Sequence, residues 1–203
     1  MAEITSLQEL RRHQIIRAAR QLIVDKGLAA MTFSELEGRV EFSRGVITYH
    51  FKNKNDILIA ILESAVNEIN EATGTAILSG GNMSDKLTAM VTTTARGFIE
   101  RPEAGIILMS FWSRIPSDPH VAEINARLHR SWRFFAGELV RKAQERGEFR
   151  ATEVEPIAAN VVAIVIGIVT QHFFEPGAFD VHRAATAACK AMLAWLRSTP
   201  SKS

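Results

Sequence analysis

Apolar residues in this chain recur at spacings of three and four, and no segment sustains the period-two alternation of a half-buried strand. Start and stop signals cut that pattern into helix lengths. Leu7–Lys26 carries Leu10, Ile15, Ala18, Ala19, Leu22 and Ile23 and ends at Gly27, a C-terminal capping residue. Thr32 and Glu35 have the spacing of a capping box opening a short helix. Ser43 is positioned to cap a second short helix, reaching about residue 50. Asn53 is positioned to cap a longer one from 54 to about 73, with Asp56 in the first turn where negative charge suits the dipole. Ser79-Gly80-Gly81-Asn82 reads as a loop. Residues 84–100 and 103–115 read as helices meeting at Pro102. Asp118-Pro119 opens a long helix to about 146, closed by Gly147. Thr152 and Glu155 form a second box, Pro176-Gly177 turns the chain, and Asp180 caps a last helix to about 197. The expectation is an all-α fold of about nine helices, without repeats or low-complexity tracts.

Composition narrows the class further. The 203 residues are 47% hydrophobic and 23% charged, too apolar for a chain that cannot collapse. A chain of this size buries roughly 70% of its unfolded surface, in one or two domains. Lys and Arg number 24 against 22 acids, a net charge of +2, which excludes a polyanion-coating tail but not a clustered basic surface. A single cysteine, Cys189, rules out an intrachain disulfide and a Cys-rich zinc module, and points to a reducing compartment. The first twelve residues contain no apolar core of a secretory signal. Residues 157–169 are almost continuously apolar, but a bilayer needs roughly twenty. They read as a helix buried on more than one side, and the chain as cytoplasmic with no membrane partner.

Chemistry concentrates between Thr32 and Phe51. Phe33, Leu36 and Val40 fall on one face of the first short helix, Ile47 and Phe51 on one face of the second, and Phe42 lies in the turn. These six suit a small core holding two helices at a steep angle, with the second free to enter a major groove. Its outward residues include Arg44, Gly45, Val46, Thr48 and Tyr49: donors, methyl groups and a glycine permitting close approach. Arg11, Arg12, Arg17 and Arg20 stand without an intervening acid, and Lys52 and Lys54 bracket the start of the next helix, where a phosphate would meet lysines and a helix N-terminus together. An ordinary solvated helix face carries such charges too.

The runs Thr32-Phe33-Ser34-Glu35-Leu36 and Ser43-Arg44-Gly45-Val46-Ile47-Thr48-Tyr49-His50-Phe51-Lys52-Asn53-Lys54 resemble the N-terminal signature of the tetracycline-repressor (TetR) family of bacterial transcription regulators. The resemblance covers about residues 7–62. It implies a homodimer with a three-helix DNA-binding domain, here 1–53, and a ligand-sensing and dimerisation domain, here 54–203, connected by the helix from 54. It implies double-stranded operator DNA and a small-molecule effector as partners, most simply for a repressor. Carried over position by position, Ser34, Arg44, Gly45 and Val46 match places that face bases. Thr32, Thr48, Tyr49, His50 and Lys54 match places that contact phosphates or frame the groove, and Ser43 opens the reading helix. His50 is equally suited to packing against the first helix. Three positions depart from the family pattern. Glu37 replaces a small alanine, Thr48 replaces a frequent tyrosine, and Glu41 replaces a turn glycine although glutamate tolerates left-handed dihedrals poorly.

Residues 104–135 concentrate Met109, Phe111, Trp112, Trp132, Phe134 and Phe135. Pockets are mostly apolar with a few orienting polar groups, so Met90, Met109, Phe111, Trp112, Trp132, Phe135, Gln171 and His172 are candidate ligand contacts. Helical aromatic and Met residues also serve simply as core. Ala159, Ala163 and Gly167 recur every four residues in one helix. Ala184, Ala188 and Ala191 form a small-residue stripe in the last, with Trp195 beyond. Such a pair from each of two copies suits a four-helix dimer interface; the alternative is tight packing within one chain.

Two other classes compete with a DNA-binding regulator. One is an all-helical enzyme. The six histidines form no His-x-x-x-His or Glu-x-x-His pair, and no nucleophile elbow, phosphate loop or dinucleotide fingerprint is present. Neither a catalytic residue, a metal nor a cofactor is expected. The other is a helical interaction protein without DNA. Specific, salt-sensitive duplex binding separates the first class from both.

Overall fold

A computed structural model describes residues 7–197. Among these residues there are nine α-helices: α1 (Leu7–Lys26), α2 (Phe33–Glu37), α3 (Arg44–His50), α4 (Lys54–Ser79), α5 (Met83–Glu100), α6 (Pro102–Trp112), α7 (Pro119–Glu145), α8 (Val154–Phe174) and α9 (Val181–Arg197). A single 3-10 turn, Leu28–Ala30, separates α1 from α2 and has no counterpart in the sequence periodicity. The helices form two compact units. One comprises the described residues up to Asn67 together with 102–108, the other 68–101 with those from Met109 onward.

In the first unit α1 buries Ile15, Ile16, Ala19, Leu22 and Ile23, and the chain leaves it through Gly27 at φ 81°. Met31, Leu36, Ile47 and Phe51 are buried, as are Ile57, Leu58, Ile61 and Leu62 of α4. Burial of Ile47 and Phe51 contributes roughly 1.5–3 kcal/mol each, enough to fix a helix of only seven residues from behind. The six-residue core expected from the sequence is only half realised. Leu36, Ile47 and Phe51 are fully inside, whereas Phe33, Val40 and Phe42 remain partly exposed because α1 and Met31 supply the rest of the packing. The ion pair from Arg20 to Glu103 (2.8 Å) joins α1 to the first turn of α6, and Glu103 is 3% exposed.

The second unit packs α5 against α7, α8 and α9, and α8 against both α7 and α9. Asn82 and Asp85 form a reciprocal capping box at α5. Asp118 caps α7 as expected. Hydrogen bonds to its carboxylate, from the Val121 N–H above all with Arg114 adding, hold its carboxyl below the ordinary range. The box expected at α8 does not form. Glu153 occupies the cap position without a side-chain bond, while the Thr152 carbonyl accepts from Gln144 Nε2 (2.9 Å). Asp180 caps α9, accepting from the Arg183 N–H (2.8 Å).

Helix α4 also runs past its expected end near 73, through Gly74 to Ser79. An interior glycine costs a helix only about 1 kcal/mol, and the turn beyond Gly74 carries half-buried Ala76 and Ile77. α8 is the one described helix long and apolar enough to cross a membrane by length and composition, yet only 33% of its most apolar stretch is buried within this chain. The expected burial on more than one side is thus not achieved inside a single copy.

Gly97 of α5 sits against α4. A Cβ there would lie 2.9 Å from Ile69 Cγ1, and Ile69 is a stiff, β-branched residue with little room to yield. Gly97→Val is therefore expected to lower stability by about 1–3 kcal/mol through overpacking. Gly74→Ala, where a Cβ meets nothing within 4 Å, is expected to raise it by up to about 1 kcal/mol through helix propensity. Denaturant unfolding of the two variants checks the opposite signs.

Candidate nucleic-acid interface and ligand cavity

Helix α3 presents its outward face from the first unit. Ser43, Arg44, Gly45, Thr48 and Tyr49 are exposed, Tyr49 at 70%, while Val46 and His50 are half-buried. Leu7, Gln8 and Arg11 of α1 join Ser43, Gly45, Val46, Tyr49 and His50 around one shallow groove. Gln8 Nε2 donates to Tyr49 Oη (3.2 Å), and the Tyr49 and His50 rings stand edge to face at 5.1 Å. Gly45 is open: a Cβ would meet only Ser43 Oγ, at 3.6 Å, so another backbone can approach closely there. A second groove of the same unit brings Arg11 together with Arg17, Gln14 and Arg39. These α1 side chains extend the basic surface alongside α3, whereas Arg20 is drawn away to Glu103.

The N-terminus of α3 is held by a residue outside the family pattern. Ser43 occupies the cap position but makes no side-chain cap bond. Instead Glu37 Oε1 accepts from the Arg44 backbone N–H (2.9 Å), reaching across from the end of α2. A carboxylate at this end also suits the helix dipole. Glu41 is accommodated because no described non-glycine residue takes positive φ. The turn spans six residues and needs no left-handed position. At the start of α2, Thr32 accepts from the Glu35 N–H (3.2 Å), but the reciprocal half of the box is replaced by an ion pair from Lys26 to Glu35 (2.6 Å). Thr32 and Ser34 are exposed there.

Three candidate contacts are engaged internally. Thr48 Oγ1 donates back to the carbonyls of Arg44 and Gly45, both at 3.1 Å, leaving its lone pairs outward. The Arg44 guanidinium lies over the Phe33 ring at 5.9 Å. Lys54 Nζ donates to the Leu28 carbonyl (3.1 Å), steadying the 3-10 turn at the start of α4.

The second unit contains a cavity of about 280 Å³. Of the candidate ligand contacts it brings together Met90, Trp132 and Phe135. Met109, Phe111, Trp112, Gln171 and His172 are not on its wall. Phe111 is completely buried beneath the Arg114 guanidinium, Gln171 Nε2 donates to the Gly167 carbonyl, and His172 stacks edge to face with Phe173. The wall instead recruits residues passed over in the sequence. Asn70 and Thr73 come from the last expected turn of α4 and Ile77 from beyond it, Thr94 and Phe98 from α5, Glu138 and Lys142 from α7, and Val161, Val162 and Val165 from α8. Only a longer α4 would have signalled Ile77; the aliphatic ones are indistinguishable from core by pattern. Beside the wall, burial and the charge of Arg133 push the His129 imidazole below its ordinary value.

The small-residue stripes lie at the surface. Ala159 and Ala163 of α8 and Ala191 of α9 are exposed, and Gly167, Ala184 and Ala188 are half-exposed. Trp195, 45% exposed, shares a groove with Ala163 and Met192, and the Arg150 guanidinium covers its ring at 3.5 Å. Among the described residues no cluster of His, Cys, Asp and Glu is arranged to hold a metal ion. Burial raises the Cys189 thiol to about 11, the signature of a structural rather than a reactive cysteine.

Comparison with known proteins agrees with this anatomy. Residues 15–61 match the family model for bacterial regulatory proteins of the TetR family, and residues 84–197 match the one for the C-terminal domain of BetI-type transcriptional repressors. The HTH-type transcriptional regulator BetI of Klebsiella pneumoniae is 30% identical over 87 residues, 42% of this chain and 45% of the relative. BetI of Stenotrophomonas maltophilia is 25% identical over 119 residues, 58% of this chain and 61% of that one. The chain thus spans about half to three fifths of these relatives' length. A TetR-family regulator structure from Rhodococcus superposes with a TM-score of 0.74 at 20% identity, over 93% of this chain and 98% of that one. A transcriptional regulator from Saccharomonospora viridis, solved in complex with choline, gives 0.77 at 18% identity, over 88% and 93%. At these identities the likeness is one of fold. The family-model matches span both the reading helices and more than half of the chain, and on them it belongs to the TetR family of bacterial transcription regulators, with a BetI-type C-terminal domain.

Proposed function

We propose that this chain is a ligand-responsive transcriptional repressor of the bacterial cytoplasm. It binds a palindromic operator as a homodimer and releases it when a small molecule occupies the cavity of the second unit. The observation that carries the reading is α3 itself. Seven residues, anchored by Ile47 and Phe51 and capped by Glu37, hold Arg44, Gly45, Thr48 and Tyr49 outward beside the arginines of α1. A buried anchor, a polar outer face and a basic flank are what a major-groove reader requires.

In this reading Arg44, Gly45, Val46 and Ser34 face bases. Thr32, Ser43, Thr48, Tyr49, His50 and Lys54 contact phosphates or frame the groove. The functional division falls at 53/54, with α4 as the connection. Helices α8 and α9 supply the dimer contact through Ala159, Ala163, Gly167, Ala184, Ala188, Ala191 and Trp195. An apolar helix with two thirds of its most apolar stretch unburied gains from covering by a second copy. The two reading helices must then lie roughly 34–36 Å apart to meet successive major grooves. A ligand changes that spacing only through its differential affinity for the two states. A tenfold loss of DNA affinity needs about 1.4 kcal/mol of coupling.

Two experiments test the reading. Arg44→Ala is expected to weaken binding to a duplex from the promoter region of its own gene by about 1–3 kcal/mol, with relaxed specificity at one base pair. Lys54→Ala should weaken binding to all duplexes alike and lower the salt slope by about one unit. Wild-type binding by both variants, measured by fluorescence anisotropy, would remove α3 as the reader. For assembly, Ala163→Arg places a charge on a surface exposed in the single chain, so the fold should persist while the dimer is lost. Sedimentation at micromolar concentration should show dimer for wild type and monomer for the variant; a monomeric wild type would refute the interface.

A further inference from the structure

We infer that the cavity of the second unit takes an uncharged, largely apolar molecule with a single hydrogen-bonding group, and that it discriminates against quaternary ammonium ions. The inference rests on reading this cavity as the effector site, and it fixes the chemical class of the effector.

The interior of the wall is aliphatic and aromatic: Met90, Phe98, Trp132, Val161, Val162 and Val165 are all buried. Charge appears only at the rim, where Lys142 is exposed and Glu138 is held by an ion pair to Arg141. A cation entering this space would leave its water for a wall whose one carboxylate is already engaged and whose nearest free-standing charge is a lysine of the same sign. A quaternary ammonium can also be held by ring faces converging within about 6 Å of it. Here each ring already has a ring neighbour. Trp132 stands edge to face with Phe98 (6.1 Å, 89°) and lies 5.2 Å from the His129 ring, and Phe135 is 55% exposed and pairs with Phe134. The aromatic residues of this cavity are built as packing.

One polar feature does lie inside. Thr73 of α4, 7% exposed, and Thr94 of α5 bring their hydroxyls within 3.1 Å, so one donates to the other. Within that pair one hydroxyl proton is spent and the second, with the remaining lone pairs, is available to the space that both residues line. A neutral hydroxyl or carbonyl satisfies such a pair in either direction. An ammonium with four carbon substituents has no donor to offer it. A cavity of about 280 Å³ with that one inner polar point, Asn70 being exposed, suits a medium-sized molecule with an apolar body and one polar end.

The test is a head-group series on one tail, read by calorimetry on the full chain with no DNA present. Octan-1-ol is expected to bind at least tenfold more tightly than octyltrimethylammonium and than octanoate, and choline to give no heat. Thr94→Val, which keeps the shape and removes the hydroxyl, should weaken octan-1-ol about three- to tenfold, the equivalent of one hydrogen bond. Gly74 lines the cavity and a Cβ there meets nothing within 4 Å, so Gly74→Leu should fill the space and abolish octan-1-ol binding with the helical circular-dichroism signal unchanged. Octyltrimethylammonium or choline binding as tightly as octan-1-ol would overturn the inference. So would tighter binding of octanoate, unchanged affinity in Thr94→Val, or no heat from any member of the series. Because no duplex is present, failure of the regulator reading leaves these heats unchanged, and failure of this chemistry leaves operator binding unchanged.

Discussion

One unbroken helix serves both units. The first half of α4 buries Ile57, Leu58, Ile61, Leu62 and Ala65 in the first unit, and its last turns give Asn70, Thr73, Gly74 and Ile77 to the cavity wall of the second. Its N-terminal residue, Lys54, holds the carbonyl of Leu28 in the turn before the reading helices. The helix is continuous over its 26 residues, about 1.5 Å of rise each. In the proposed function it is the element through which an event at the cavity would reach the first unit. Helix α6 also contributes to both units, and its first turn is tied to α1 by the pair between Arg20 and Glu103.

The reading surface shows how a departure from a family pattern is absorbed. Where a small residue is usual, Glu37 supplies the cap that Ser43 does not make, and its carboxylate fixes the backbone N–H of Arg44, the side chain proposed to meet a base. The same residue that removes a small packing position thus fixes the first turn of α3, the proposed reader. Glu41 is accommodated because no residue of the turn takes left-handed dihedrals. The Arg44 guanidinium rests on the Phe33 ring; in its proposed role it leaves that ring for a base edge, giving up a contact of about 0.5–1 kcal/mol at an exposed site.

Helices were legible where caps and periodicity agreed. Asn53, Asp118 and Asp180 all cap as their positions suggest, and Gly27 and Gly147 close helices at positive φ. Thr152 and Glu155 have the spacing of a capping box, yet α8 takes Glu153 as its cap residue, with no side-chain bond. Helix α4 continues beyond Gly74 because one glycine costs only about 1 kcal/mol. The cavity was least legible. Its aliphatic wall looks like core from any single helix, and conspicuous aromatics such as Phe111 became core instead. The proposed reading surface, by contrast, is carried by one short stretch of chain, 32–54, in which most of the candidate residues are exposed.

The proposed coupling through α4 is reciprocal by thermodynamic necessity: whatever a cavity ligand does to operator affinity, the operator must do to ligand affinity. The most direct measurement is a calorimetric titration of one cavity ligand into the free chain and into the chain saturated with its operator duplex. The expected result is weaker ligand binding to the DNA-bound form, by the same factor with which that ligand lowers operator affinity. Equal affinities in the two titrations would contradict it and leave the cavity and the reader as independent parts of one chain.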